Sequence, residues 1–223
     1  MTRGILIAGN ESLLLTAAAE EAGKRVEQYA ASLINSPVPA RGKSNPEAIK
    51  GRMPIIWNPA SSISSRTLVT SAENFLGQID EAILVCSPPA IYCPAEALVP
   101  SEIEAQVNNQ IKGWFFLVRE LALYFRERGK GTLALVVPEK SSSGGKEYSA
   151  DLLGACAAAS FRALAQGLLS SAANEPFIIQ GFSLSETGQE KEFAQFLFKH
   201  LDEATPKSSG KWYKFNKIRL FQA

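Results

Sequence analysis

The chain has 223 residues, 46% hydrophobic and 20% charged, which is long enough to bury a full core and is expected to form one domain over residues 1–223. A formal net charge of +1 argues against a dominant electrostatic partner such as duplex DNA. Cys86, Cys93 and Cys156 form no CxxC pair and read as reduced thiols, packed as small core residues of a cytoplasmic protein. No apolar run is long enough to span a bilayer, and the first residues lack a signal-peptide pattern.

The apolar run Ile5-Leu6-Ile7-Ala8 reads as a buried strand that Gly9 closes, and Leu13 to Ala22 is rich enough in Leu, Ala and Glu to be a helix. Strand, glycine turn and helix is how a dinucleotide-binding sheet begins, with the pyrophosphate resting on the helix N-terminus. Val26 to Ala31 is the expected second strand. Residues 35–54 carry Pro37, Pro39, Pro46 and Pro54 among basic residues and read as a long loop. Pro54 to Trp57 is a third strand, with serines 61, 62, 64 and 65 available to cap a helix reaching Leu76.

Ile79 to Val85 is a fourth strand, stopped by Ser87-Pro88-Pro89. Ile103, Val107, Ile111, Trp114, Val118, Leu121 and Phe125 recur at helical spacing, and Ser101 with Glu104 reads as a capping box for one helix ending before Gly129. Thr132 to Val137 is a continuous apolar strand of the kind covered on both faces. A second long helix is expected from Ser149 to Ala173, with an unusually small face of Gly, Ala, Ser and Cys. Phe177 to Leu184, Glu190 to Glu203 and Lys211 to Phe221 complete the pattern as strand, helix and strand, with Phe193, Phe196, Leu197 and Leu201 inward. The alternation predicts an α/β fold: a doubly wound, Rossmann-like sheet of about seven mostly parallel strands with helices on both faces.

The blocks IIWNPASSISSRTLVTSAENFLGQIDEAILV, VNNQIKGWFFLVRELALYFRERGKGTLALVV and ACAAASFRALAQGLLSS followed by PFIIQGFSLS resemble the short-chain dehydrogenase/reductase family along nearly the whole chain. The resemblance implies a TGxxxGxG turn, yet only Gly9 matches a glycine, and Leu13 and Leu15 take the places of the other two. Side chains there block close approach of a pyrophosphate, and Glu11 sets a carboxylate where the phosphate would lie. The family's acidic residue near the adenine falls at Asn58, and its NNAG segment falls at Cys86-Ser87-Pro88-Pro89.

The family's catalytic Tyr and Lys fall at Gly154 and Ala158; anchoring instead on Tyr148 puts Leu152 in the lysine's place. The supporting Asn falls at Gln110, with Asn109 one residue out of register, and Ser141 to Ser143 are candidates for the Ser. The candidate catalytic residues are therefore Tyr148, Ser141 and Gln110, and the candidate cofactor residues are Gly9, Asn10, Ser12 and Asn58.

His200 is the single histidine, so one chain holds neither a His-based metal site nor a Ser-His-Asp triad, and no metal is expected. It is expected on the last helix near the core edge. Lys211, Lys214, Lys217 and Arg219 alternate with aromatics, which reads as a strand with a basic exposed face rather than a nucleic-acid surface.

The expected function is that of a degenerate family member, without dinucleotide binding or catalysis, acting as a binding or structural subunit. It would form a homo-oligomer through helices 103–128 and 149–173, or bind another protein. One alternative is a divergent oxidoreductase binding NAD or NADP. The other is a small-molecule binder in the old substrate crevice, lined by Tyr92, Trp114 and residues 141–148.

Overall fold

The computed structural model describes residues 3–34, 52–139, 151–185 and 188–216. Its elements in chain order are β1 (Ile5–Gly9), α1 (Leu13–Arg25), β2 (Tyr29–Ile34), β3 (Arg52–Trp57), α2 (Ser62–Leu76) and β4 (Glu81–Val85). Then come α3 (Pro100–Val107), a π turn over Asn108–Lys112, α4 (Gly113–Arg128), β5 (Thr132–Pro138), α5 (Leu152–Ser171), β6 (Ile178–Leu184), α6 (Glu190–Asp202) and β7 (Lys211–Phe215). The seven strands form one sheet in the order β3-β2-β1-β4-β5-β6-β7, and every neighbouring pair is parallel. The order reverses between β1 and β4, the switch point where such sheets open a crevice beyond their strand ends.

Side chains alternate between the two faces. Ile5, Ile7, Ile83, Val85 and Val136 pack under α1 and α6 with Phe193, Leu197 and Phe198. Leu6, Leu84, Leu133 and Leu135 pack under α2, α4 and α5 with Trp57, Trp114, Leu121 and Phe161. Each face buries a full apolar layer, the main driving force of the fold.

Several boundaries differ from expectation, each for a local reason. β2 spans Tyr29–Ile34 rather than 26–31, because Lys24 and Arg25 both reach Glu21 and keep α1 helical to Arg25. β3 begins at Arg52 rather than Pro54, since Arg52 and Met53 pair with Tyr29 and Ala30. α3 begins at Pro100, whose fixed φ suits a first helical position; Val99 N–H donates to the Glu102 carboxylate, and Ser101 lies inside the helix. The expected Ser101–Glu104 box does not form.

The helix expected to run unbroken through 103–128 is interrupted by the π turn, whose extra residue rotates the apolar stripe. Gln106 and Gln110 are thereby buried, while Ile103 and Val107, expected inward, are 38% and 45% exposed. Gly113 follows at once, where a Cβ would come within 2.3 Å of Pro59. α5 starts at Leu152 rather than Ser149, because Asp151 caps it. Phe193, Leu197 and Leu201 are buried as expected, whereas Phe196 is half-buried.

Only Cys86 is a core cysteine; Cys93 is half-buried and Cys156 is exposed on α5. His200 sits at the core edge, Nδ1 to Phe196 O 2.9 Å, against Phe196 and Tyr213. The segment Leu152–Asn174 is, contrary to expectation, long and apolar enough by composition to cross a membrane, with mean hydropathy 1.4. Alanines raise that value, and here the helix lies against β5 and β6 through Gly154, Ala157, Phe161 and Ala165.

At the opposite end of the sheet from the crevice, an ion-pair chain ties four elements together. Arg3 Nε donates to Glu81 Oε1 at 2.7 Å, Arg3 and Arg25 both pair with Asp202, and Arg25 Nε reaches Glu21 at 3.2 Å. Burial pushes the Glu81 carboxyl above the ordinary value of 4.5, and the facing Arg3 only partly offsets it. An acid raised on folding binds more protons folded than unfolded, so its contribution to stability falls as pH rises through and above that ordinary value. Urea melts from acid to neutral pH are expected to show a shallower loss of stability in Glu81→Gln than in the native chain. Identical slopes would mean that Glu81 is not raised.

Candidate functional site

The crevice lies beyond the C-terminal ends of β1, β4 and β5. Gly9 ends β1 opposite Val85, where a Cβ would lie 2.4 Å from the Val85 carbonyl oxygen and 3.1 Å from Leu15 Cδ1. The glycine is thus required by close strand packing. It is not among the described glycines with positive φ. Leu15 is 5% exposed and fills the space beneath Gly9 among Ile7, Val85 and Ala19, so helix and strand are spaced by an isobutyl group. Leu13 projects into solvent at the helix start, 74% exposed.

Ser12 caps α1, its Oγ accepting from Leu15 N–H at 3.1 Å. One of the few N–H groups that would meet a phosphate is therefore already taken. Asn10 is buried, and its Oδ1 has no hydrogen-bond partner among the described residues.

Asn58 is exposed beyond β3 and occupied by a turn. Its Oδ1 accepts from Ala60 N–H at 3.1 Å, and its N–H donates to Ser64 Oγ at 2.9 Å. Beyond β4, Cys86 is buried and its N–H continues the sheet to Val136 O at 2.9 Å.

Gln110 lies in the π turn beside α5, 4% exposed, and its Oε1 has no hydrogen-bond partner among the described residues. Gly154 lies against the Asp151 carboxylate. Asp151 Oδ1 accepts from Gly154 N–H at 2.9 Å and from Ile91 N–H at 3.1 Å, and a Cβ on Gly154 would come 2.3 Å from that carboxylate. Tyr92 pairs with Asp151 as an isolated antiparallel bridge, pinning the segment after β4 to the start of α5. Tyr92 itself is 67% exposed, but Trp114, expected on the crevice wall, is fully buried between Trp57 and Phe161. Tyr148 and Ser141 to Ser143 lie outside the described residues.

Sequence reasoning missed Asp151, although an Asp three residues before Gly154 is a cap signal. It also missed Glu139 beyond β5. Arg162 donates to Glu139 at 3.2 Å, Ser185 Oγ at 3.3 Å, and the Lys214 ammonium stands 3.6 Å away. Burial opposes ionisation of Glu139, but the Arg162 hydrogen bond and the nearby cations outweigh it and hold the carboxyl below its ordinary range. This cluster joins the ends of β5, β6 and β7 to α5. Its charges answer one another, so it reads as a structural tie. Among the described residues no three His, Cys, Asp or Glu side chains gather as a metal site requires.

Neither a protein-family model nor a curated protein matches the chain. Solved structures do. A short-chain dehydrogenase from Mycobacterium smegmatis superposes with TM-score 0.74 at 14% identity, covering 98% of this chain and 93% of that one. A short-chain dehydrogenase from Bacillus anthracis gives 0.74 at 14% identity, with 96% and 95% covered. One from Rhodopseudomonas palustris gives 0.74 at 12% identity, with 97% and 99% covered. The chain has the short-chain dehydrogenase fold.

In that fold the crevice at the β1–β4 switch point is the expected cofactor position. Gly9, Asn10 and Ser12 share one turn at its floor. Asn58 sits two strands away at the end of β3, and Gln110 stands across β4 on the α3–α4 helix. The candidates thus gather at one end of the sheet, but the described ones form no hydrogen bonds with one another. A fold shared at such low identity fixes the scaffold and leaves the chemistry to the residues.

Proposed function

We propose that this short-chain dehydrogenase scaffold has given up dinucleotide binding and hydride transfer and serves as a binding or structural subunit. The observation that carries the reading is the turn after β1, where Leu15 fills the space beneath Gly9 and Leu13 stands at the helix start. A pyrophosphate needs bare backbone N–H groups there, and it would instead meet an isobutyl group and the Glu11 carboxylate. The Asp151 cap, lying where a side chain at 154 would emerge, supports the same reading for catalysis. No general acid paired with a lysine four residues on stands on α5, so nothing there supplies the usual proton.

The exposed outer face supports a subunit role. Ile103, Val107, Phe115, Leu123 and Leu152 are each 38% exposed or more across helices 103–128 and 152–171, beside the small residues of α5. Apolar surface of this kind is usually covered by another protein, and a second copy of the chain is the occupant we favour.

The test of lost catalysis is hydride transfer. With NADPH or NADH and a panel of ketones and aldehydes, loss of nicotinamide absorbance is expected to match the protein-free rate. Turnover abolished by Tyr148→Phe would overturn the reading and establish a divergent oxidoreductase that uses Tyr148 as donor.

A further inference from the structure

An open pocket of about 430 Å³ lies at the N-terminal ends of the strands, across the sheet from the crevice. Ile5, Glu81, Thr132 and Ile178 are register neighbours across β1, β4, β5 and β6, so their side chains share one face, the one that α6 covers. α6 runs back to this end and brings Leu201 and Asp202 to the pocket, and Lys130 joins them from the turn before β5. Most of the charged groups here are already held. Asp202 pairs with Arg3 and Arg25, Asp80 accepts from Gly4 N–H and the Gln78 amide, and Arg3 donates to Glu81 Oε1. Two groups are left. Glu81, 6% exposed, has no hydrogen-bond partner on Oε2 among the described residues, and the exposed Lys130 makes no ion pair among them. A buried carboxylate oxygen without a donor is costly, and native folds answer such groups with a water, an ion or a ligand.

These unmet groups describe a ligand. Glu81 Oε2 calls for a donor, and the last carbonyls of α6 at the same end favour a cationic one. Lys130 calls for an anion. Ile178, Leu201 and Ala204 add an apolar wall. A plain cation would leave Lys130 unanswered and stand beside Arg3, whereas a plain anion would face the carboxylates of Asp80, Glu81 and Asp202. We propose that this pocket binds a free aliphatic α-amino acid as its zwitterion, with the ammonium on Glu81 Oε2, the carboxylate on Lys130 and the side chain over Ile178 and Leu201. The volume lies within the usual range of small-molecule sites. Because the pocket and the turn after β1 lie at opposite ends of the sheet, the inference goes beyond the lost-dinucleotide reading and does not depend on it.

Calorimetric titration of the full chain at neutral pH tests this with three probes: L-leucine, isopentylamine, which lacks its carboxylate, and isocaproate, which lacks its ammonium. Leucine is expected to give saturable heat, and each of the other two to bind about tenfold more weakly or worse. Lys130→Ala, at an exposed position, is expected to weaken leucine about tenfold and leave isopentylamine unchanged, whereas Glu81→Gln weakens both. Urea melts of each variant separate lost binding from lost folding, and Lys130→Ala decides the matter even if Glu81→Gln fails to fold. A native chain that gives no saturable heat with leucine at about 10 mM overturns the site. Isopentylamine bound as tightly as leucine, or a leucine affinity unmoved by Lys130→Ala, overturns the zwitterion. Leucine bound equally well by folded Glu81→Gln overturns the contact with Oε2.

Discussion

Replacing Trp114 by alanine is expected to cost about 3–5 kcal/mol, the range for deleting a large aromatic from a packed core. Trp114 is fully buried, edge-on to Trp57 at 5.4 Å between ring centroids and to Phe161 at 4.9 Å. It joins α4 to β3 and α5, so its loss leaves a cavity at the centre of that layer, lined by two rings that cannot collapse towards each other. A domain of this kind is typically stable by about 5–15 kcal/mol, so the variant should unfold at a much lower urea concentration with the slope of the transition unchanged. A loss below about 1 kcal/mol would show that the core repacks around the missing ring and contradict the tight packing described here.

Gly4→Ala is the second large effect. An added Cβ would lie 1.8 Å from the Gln78 carbonyl oxygen and 3.0 Å from its carbonyl carbon, both backbone atoms with no flexible side chain to give way. The same residue is held by Asp80, whose Oδ2 accepts from Gly4 N–H at 2.9 Å, and its carbonyl accepts from Asp80 N–H at 2.8 Å. Relief requires moving the start of β1 or of β4. The expected cost is at the upper end of the roughly 1–3 kcal/mol of overpacked cores, or beyond it. Gly167→Ala is the control of opposite sign. It lies exposed in α5, with nothing within 4 Å of the added Cβ, and should gain about 0.5–1 kcal/mol from helix propensity. Equal effects at the two glycines, read from melting curves, would contradict the packing described here.

The strand–helix alternation was legible because buried parallel strands are written as unbroken apolar runs, such as Leu133 to Val137, and most helices by their spacing. The register of the α3–α4 helix was not. Its apolar residues repeat evenly through Ile103 and Val107, and nothing local announces the π turn that buries Gln106 and Gln110 instead. That leucines rather than glycines stand at 13 and 15 was visible in the sequence, because a glycine turn depends on residue type at fixed positions. That Leu15 fills the gap and Leu13 faces solvent is a tertiary fact, decided by the distance from α1 to β4. Asp151 was missed for a related reason. A start at Ser149 satisfied the helix pattern equally well, and only the contact with Ile91 N–H reveals what the carboxylate holds.

The central claim is that the turn after β1 no longer receives a dinucleotide, and calorimetric titration of the purified chain with NADPH, NADP, NADH and NAD tests it most directly. The account predicts no saturable heat for any of the four at millimolar concentration. Binding tighter than about 100 μM, near −5.5 kcal/mol, would contradict it, because the turn would then accommodate a pyrophosphate despite Leu13, Leu15 and Glu11.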